Sequence, residues 1–386
     1  MNPSSSTRRK VVVIGMVDSV HLARWLNNLR ERDIDVLLLP SGPHRRIHPS
    51  VRLLASETGA FRLQIPSLLK IFSLPIWILD KFLGLHAPIR SFLFELYILQ
   101  HAPDFIHILE TQAGGYPSIR YLKKFSSPKQ TVALTLFGSD LFWFGRFEDH
   151  RKLLGALFEN VDVICIECHR DASLARSLGF KGHFIGPMPA AGIFPDSKSN
   201  SRFDLKDRKL ILVKGYQNKW GRALHFFDAF EQLDPSLWVD CRIVVYSAEW
   251  PVRMRARKFA AKHKISVEVH KKGSLSHSAI LDLMAKSRVY VGLSISDGLP
   301  SSLLEAMSNG AIPVQSDSSC ASDWIQNGLT GFLPAANDIR AIKLALEKAI
   351  SSDTDWSAAQ KENASKIAVQ AKSTASLIEL LDLYQG

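Results

Sequence analysis

Two acids frame the stretch SDGLPSSLLEAMSNGAIPV: Asp297 ahead of a Gly-Leu-Pro-Ser-Ser bend, and Glu305 inside the apolar run behind it. Pro300 suits the first turn of a helix, where a missing N–H costs nothing, and Gly310 suits the position just past its end. A helix from about Pro300 to Asn309 is therefore predicted. Its first free amides belong to residues near Ser301, Ser302 and Leu303, with Gly298 and Leu299 in the bend before them, and such an end attracts anions. Glu305 shares a face with Ser301 by the four-residue spacing, while Leu304 and Met307 turn toward a core. Asp297 hangs over the mouth. Read without a ligand, the same residues make an ordinary helix cap, with Asp297 bonded to loop amides.

A second segment, VKGYQNKWGRALHFFDAF, follows a strand-like run and ends in a helix. Gly215 lets the chain turn tightly, and Lys214, Lys219 and Arg222 put positive charge at or near the helix start. The glycines are wrongly spaced for a P-loop, and Gly221 is followed by Arg222. An amide-lined helix mouth beside basic side chains makes a diphosphate site, and nearby carboxylates accept hydrogen bonds from sugar hydroxyls. Together the two segments call for a nucleotide sugar.

The elements that must position these residues come in two series. In the first half, strand-like runs (KVVVIG, DVLLL, DFIHILE, TVALTLFG, VDVICIEC, GHFIG) alternate with helical ones such as HLARWLNNLRER, which reads as a mostly parallel, doubly wound sheet. A Pro-, Gly- and Ser-rich stretch follows, and the rhythm restarts at KLILVKG. The predicted organisation is an α/β domain over 1–190, a linker over 191–207, a second α/β domain over 208–352, and a C-terminal helical segment over 353–386 packing back toward the first domain. Strand ends and helix starts of both domains would face a central cleft, where open α/β sheets bind ligands.

At 386 residues the chain exceeds one ordinary core. Lys and Arg number 48 against 37 Asp and Glu, a net charge of +11, so an anionic partner is expected: a phosphorylated ligand, nucleic acid or an anionic membrane. No nucleic-acid module or interleaving of aromatic and basic residues is present, which argues against the second. Nor is there an acid-rich metal cluster, and no cofactor is expected. Two of the four cysteines lie in CIECH, where Cys165, Cys168 and His169 match a haem-attachment spacing. The β-branched run NVDVICIECH instead reads as a buried strand with core thiols. The opening stretch reads as a tail and first strand, and a cytoplasmic protein is expected, with the cytoplasmic face of the membrane as the alternative.

The apolar region from Leu68 to Leu99 is interrupted by Lys70, Pro75, Asp80, Lys81, Pro88 and Arg90, too often for a membrane span. Its helix from Pro88 is apolar nearly all round, with Ile89, Phe92, Leu93 and Leu96 along one face and Phe94 and Ile98 along another. Such a helix is ordinarily buried. The alternative leaves one face resting in a lipid interface, which would suit a lipid-linked acceptor.

The stretch SDGLPSSLLEAMSNGAIPV, followed by SDWIQNGLTGFL with Gly328 and Gly331, resembles the signature of the family 4 retaining glycosyltransferases of GT-B fold. GYQNKWGRALHFFDAF is similar to that family's donor-phosphate loop, and DFIH, LTLFGSDL and SVHLARWLNNL to parts of its acceptor domain. The resemblance implies a retaining enzyme moving a sugar from a nucleotide diphosphate sugar to a glycan or lipid-linked glycan of surface-polysaccharide type. Glu305 would bind the donor ribose, Asp297 the sugar hydroxyls, and Lys219 with Arg222 the diphosphate. Acceptor-side candidates are Ser19, His21, His107 and Asp140. The chain departs from the pattern in three places: Asp297 replaces the usual Glu, Tyr216 and Trp220 occupy the places of the basic pair, and Phe137 replaces a His before Gly-Ser-Asp. An epimerase or hydrolase of the same fold, a nucleic-acid-binding protein and an inactive subunit are the rival readings.

Overall fold

Parallel strands buried on both faces must be apolar at every position, and the first strand-like run obeys this, with Val11, Val12, Val13 and Ile14 all at 0% exposure. A computed structural model describes residues 8–57, 59–125, 127–190, 192, 205–351, 355–372 and 375–385. The opening tail and most of the predicted linker lie outside the described residues. The chain forms two compact units, Met1–Ile193 with Thr374–Gly386, and Phe194–Ser373.

In the first unit, β1 (Arg9–Gly15), β2 (Ile34–Pro40), β3 (Arg62–Gln64), β4 (Phe105–Leu109), β5 (Thr131–Thr135), β6 (Val163–Cys165) and β7 (His183–Ile185) pair in the order β3-β2-β1-β4-β5-β6-β7. All pairs are parallel. The helices are α1 (Val20–Asn27), α2 (Pro49–Leu54), α3 (Ser67–Leu83), α4 (Pro88–His101), α5 (Tyr116–Phe125), α6 (Glu148–Phe158) and α7 (His169–Ser177). The strand order reverses between β1 and β4, which leaves a crevice at their carboxyl ends. Cys165, at the end of β6, is a free buried thiol whose pKa burial pushes up to about 12.

In the second unit, β8 (Leu210–Lys214), β9 (Arg242–Ala248), β10 (Val267–Lys271), β11 (Ser287–Gly292) and β12 (Ile312–Gln315) form a parallel sheet in the order β10-β9-β8-β11-β12. Around it lie α8 (Ala223–Phe230), α9 (Trp250–His263), α10 (His277–Lys286), α11 (Ser301–Ser308), α12 (Ile339–Ile350) and α13 (Ser357–Lys372). Its reversal point falls between β8 and β11. Both segments singled out for chemistry leave the sheet from those two strands.

Within the predicted C-terminal helical segment, two helices are described. α13 packs on α11 within the second unit, whereas α14 (Ala375–Asp382) packs on β7 in the first. Just beyond α14, the buried Tyr384 hydroxyl accepts a hydrogen bond from Trp25 Nε1 at 2.9 Å.

Candidate functional site

Backbone hydrogen bonds hold the loops after β8 and β11 side by side. Arg222 N donates to the Leu293 carbonyl and Ile295 N to the Trp220 carbonyl, each at 2.9 Å, around a bridge between Gly221 and Ser294. Gly215 starts the first loop because no side chain fits there: a Cβ would stand 2.6 Å from Ala248 Cα at the end of β9. Close approach, rather than the tight turn expected from sequence, explains that glycine.

The two helix starts differ. At α8 the loop satisfies itself, with Ala223 N bonded to the Tyr216 carbonyl at 3.1 Å and Leu224 N to Gln217 Oε1 at 3.0 Å. No side chain caps α11, whose N-cap is Pro300 and whose C-cap, Asn309, precedes Gly310 at φ +76°. Leu303 N bonds the Pro300 carbonyl at 2.8 Å, but the amides of Ser301 and Ser302 find no acceptor among the described residues. The open anion-attracting end is therefore that of α11.

Around this end stand Lys214, Asp297, Ser302 and Glu305. Ser302 Oγ accepts from the Tyr290 hydroxyl at 2.9 Å. Glu305 is buried one turn in, with Oε1 2.8 Å from His277 Nε2 at the start of α10. Asp297 Oδ1 accepts from Gly298 N at 3.0 Å. Lys214, the last residue of β8, lies 4.8 Å from the centroid of the Tyr216 ring, which Lys272 approaches at 5.3 Å. Burial opposes the Lys214 charge, yet Tyr290, Asp297, Tyr216 and Glu305 outweigh it and hold its pKa above the ordinary lysine value.

The two cations that the resemblance assigned to the diphosphate are placed differently from Lys214. Lys219 is exposed, 4.6 Å from the Trp220 ring. The Arg222 guanidinium donates to the carbonyls of Gly221 at 2.7 Å and Lys219 at 3.4 Å, folding back on its own loop. Lys272 and His277 went unnoticed in the sequence, because they follow the edge strand β10, far along the chain from either motif.

In the first unit, Ser19 caps α1 by accepting from His21 N at 3.1 Å, and the His21 ring meets Phe137 edge-on, 6.1 Å between centroids. Asp140 is buried and ties two loops together, its Oδ2 accepting from Thr111 N and Phe137 N at 3.0 Å each. Burial pushes its pKa well above the usual carboxylate range. His107 must be corrected from a ligand-facing imidazole to a core residue. It is fully buried in β4, with Nε2 2.7 Å from Thr135 Oγ1 and Nδ1 against the Tyr384 hydroxyl. Burial lowers its pKa to about 3.

That shift carries a stability consequence. Below about pH 6.5 the unfolded chain takes up a proton that the folded chain refuses until about pH 3. Stability is thus fully present above that window and falls with pH inside it, by about 1.4 kcal/mol per pH unit for one proton. Urea unfolding at neutral and mildly acid pH is expected to show this loss, and a shallower one in His107→Gln.

The residue most clearly missed is Glu110, directly after β4 at the reversal point of the first sheet. Its backbone lies at φ +81°, a strained region for a side chain with a Cβ. Its Oε1 accepts from the Ser41 hydroxyl at 2.8 Å. Burial pushes its pKa up to about 7, against the lowering effects of Ser41 and Arg90, with Asp18 adding to the rise. The only sequence signal was an acid ending a buried strand, FIHILE.

Residues 196–367 match the family model described as glycosyl transferases group 1. No curated protein matches the sequence. Nearly the whole chain aligns with solved structures of low sequence identity. Anabaena HepE in complex with UDP and glucose is 12% identical over 97% of this chain and 98% of that one, TM-score 0.63. Sucrose-phosphate synthase from Thermosynechococcus elongatus is 14% identical over 98% of each, TM-score 0.68. A UDP-forming trehalose-phosphate synthase from Burkholderia xenovorans is 14% identical over 98% and 99%, TM-score 0.67. The two Rossmann-like units thus have the GT-B fold.

Proposed function

We propose that this chain, with its GT-B fold and its group 1 match over the second unit, is a retaining glycosyltransferase that moves a hexose from a nucleoside diphosphate to an acceptor hydroxyl. The observation that carries this reading is the open end of α11, flanked by Lys214, Asp297 and Glu305. The diphosphate sits on the amides of Ser301 and Ser302, and Lys214 takes up the charge that grows as the bond to the sugar breaks. Arg222 and Lys219 serve the outer rim. Glu305 binds ribose hydroxyls, steadied by His277, and Asp297 binds hydroxyls of the transferred sugar. Retention and a glycan or lipid-linked glycan acceptor of surface-polysaccharide type rest on the family 4 resemblance. Because UDP occupies the Anabaena neighbour, UDP-sugars are the first donors to try.

Incubation with a panel of sugar nucleotides, scoring free nucleoside diphosphate with and without acceptors, tests the reading. Acceptor-dependent release with an unchanged anomeric configuration is expected. Equal release without acceptor would indicate a hydrolase, and binding of no sugar nucleotide would end the proposal.

On the acceptor side, Glu110 is proposed to hold the incoming hydroxyl, assisted by Ser19 and His21. Ionisation near pH 7 then gives the transfer rate a limb in that region. The pH profile of wild type is expected to bend there, and that of Glu110→Gln to lose the bend at a lower rate.

A further inference from the structure

Surface helices normally turn apolar residues inward and polar ones to water. α3 does the reverse on much of its surface. Its buried positions are Leu69, Ser73, Ile76 and Asp80, so two of the four inward side chains are polar. Outward stand Ile71 at 68% exposure, Leu79 at 54%, Leu83 at 61% and Phe82 at 86%. α4, packed against it, adds exposed Phe92 and Leu96, while Phe94 and Ile98 are fully buried. Roughly half of the large apolar side chains exposed among the described residues lie in these two helices and the turn joining them. A monomer rarely leaves so continuous a patch to water.

The charges around the patch have one sign. Each helix carries a single acid, and both acids are withdrawn: Asp80 accepts from Arg90 Nε at 2.9 Å and from Ile89 N at 2.8 Å, and Glu95 is buried against Arg120. Lys70 and Lys81 remain exposed, the latter with Nζ 4.9 Å from the Trp77 ring. Two copies joined through this face would set these lysines against each other. Lipid phosphates would neutralise them, while acyl chains accept the phenyl and isobutyl groups.

We infer that the outer face of α3 docks on an anionic lipid bilayer, with Phe82 and Leu83 as the part that enters the acyl boundary. No helix among the described residues is long and apolar enough to cross a membrane, so the contact is interfacial. The net charge of +11 adds a long-range attraction of the same sign. This inference stands apart from the proposed activity.

The test is flotation of the full chain with vesicles of phosphatidylcholine alone and with added phosphatidylglycerol, at low and high salt. Binding to the phosphatidylglycerol vesicles, weakened by salt, is expected. Phe82→Ser with Leu83→Ser should weaken it about tenfold, and Val239→Ser, in the other unit at 68% exposure, should leave it unchanged. If thermal melting shows that the double serine variant unfolds, Lys70→Glu with Lys81→Glu decides, and must also abolish binding. Absence of binding to either vesicle, or binding that none of these changes weakens, overturns the inference. So does a wild-type dimer in sedimentation that the serine variant dissociates, which would assign the face to a second copy.

Discussion

Replacing Lys214 with methionine is expected to lower glycosyl transfer by about a hundredfold, with a much smaller effect on donor KM. The substitution keeps the apolar stem and removes the ammonium. On the proposed reading that charge matters most as the sugar leaves, when negative charge accumulates on the diphosphate above α11. Without it, Asp297 and Glu305 face the diphosphate with no cation of the β8 strand end between them. Lys219→Met should cost less than about threefold, since an exposed charge contributes little. Steady-state kcat and KM with an accepted donor separate the two lysines. Equal losses would mean that the charge is not concentrated at Lys214.

The two acids are expected to part company in calorimetric titration. Glu305→Gln should weaken bare UDP by about tenfold, the loss of one charge-assisted hydrogen bond to a ribose hydroxyl. Asp297→Asn should leave UDP binding within about twofold and weaken the intact sugar nucleotide by about tenfold, because only that ligand carries the hydroxyls it holds. Glu305 also holds His277, at 2.8 Å, so His277→Ala is the control. It removes the neighbour and leaves the carboxylate for ribose, and a UDP affinity close to that of wild type is expected. If both acid variants bound UDP equally, the acids would serve only to shape their own loop.

Much of the fold was legible because its signals are local. Apolar runs such as VVVI are what strands buried on both faces require, and their alternation with helical segments pointed to two doubly wound sheets. Pro300 and Gly310 bracketed α11 to within a residue at each end. The site was legible less evenly. Asp297 and Glu305 stand out because their segment follows a strand and opens a helix, whereas Glu110 is marked only as an acid ending a buried strand and His277 lies beyond an edge strand. His107 misled for a related reason: a strand covered on both faces has no outward side, so a polar residue in it reads as a ligand when it is satisfied inside the core.

The sequence by itself determined the strand and helix series and the bounds of α11, with one acid ahead of it and one inside it, since each depends on residues within one turn or one strand; that no side chain caps α11 was decided by the structure. Tertiary structure decided what depends on residues distant in sequence. Lys214 ends β8 and Lys219 lies five positions on in the loop behind it; the pairing of β8 with β11 sets the first near the acids, while the second is exposed. Composition likewise showed an apolar region from Leu68 without showing that its first part is a helix, α3, or which side of it faces outward. Asp80 reaches inward to the start of α4 and its Arg90, as a buried carboxylate must find a cation and hydrogen-bond donors, and in this orientation Leu79, Phe82 and Leu83 stand outward.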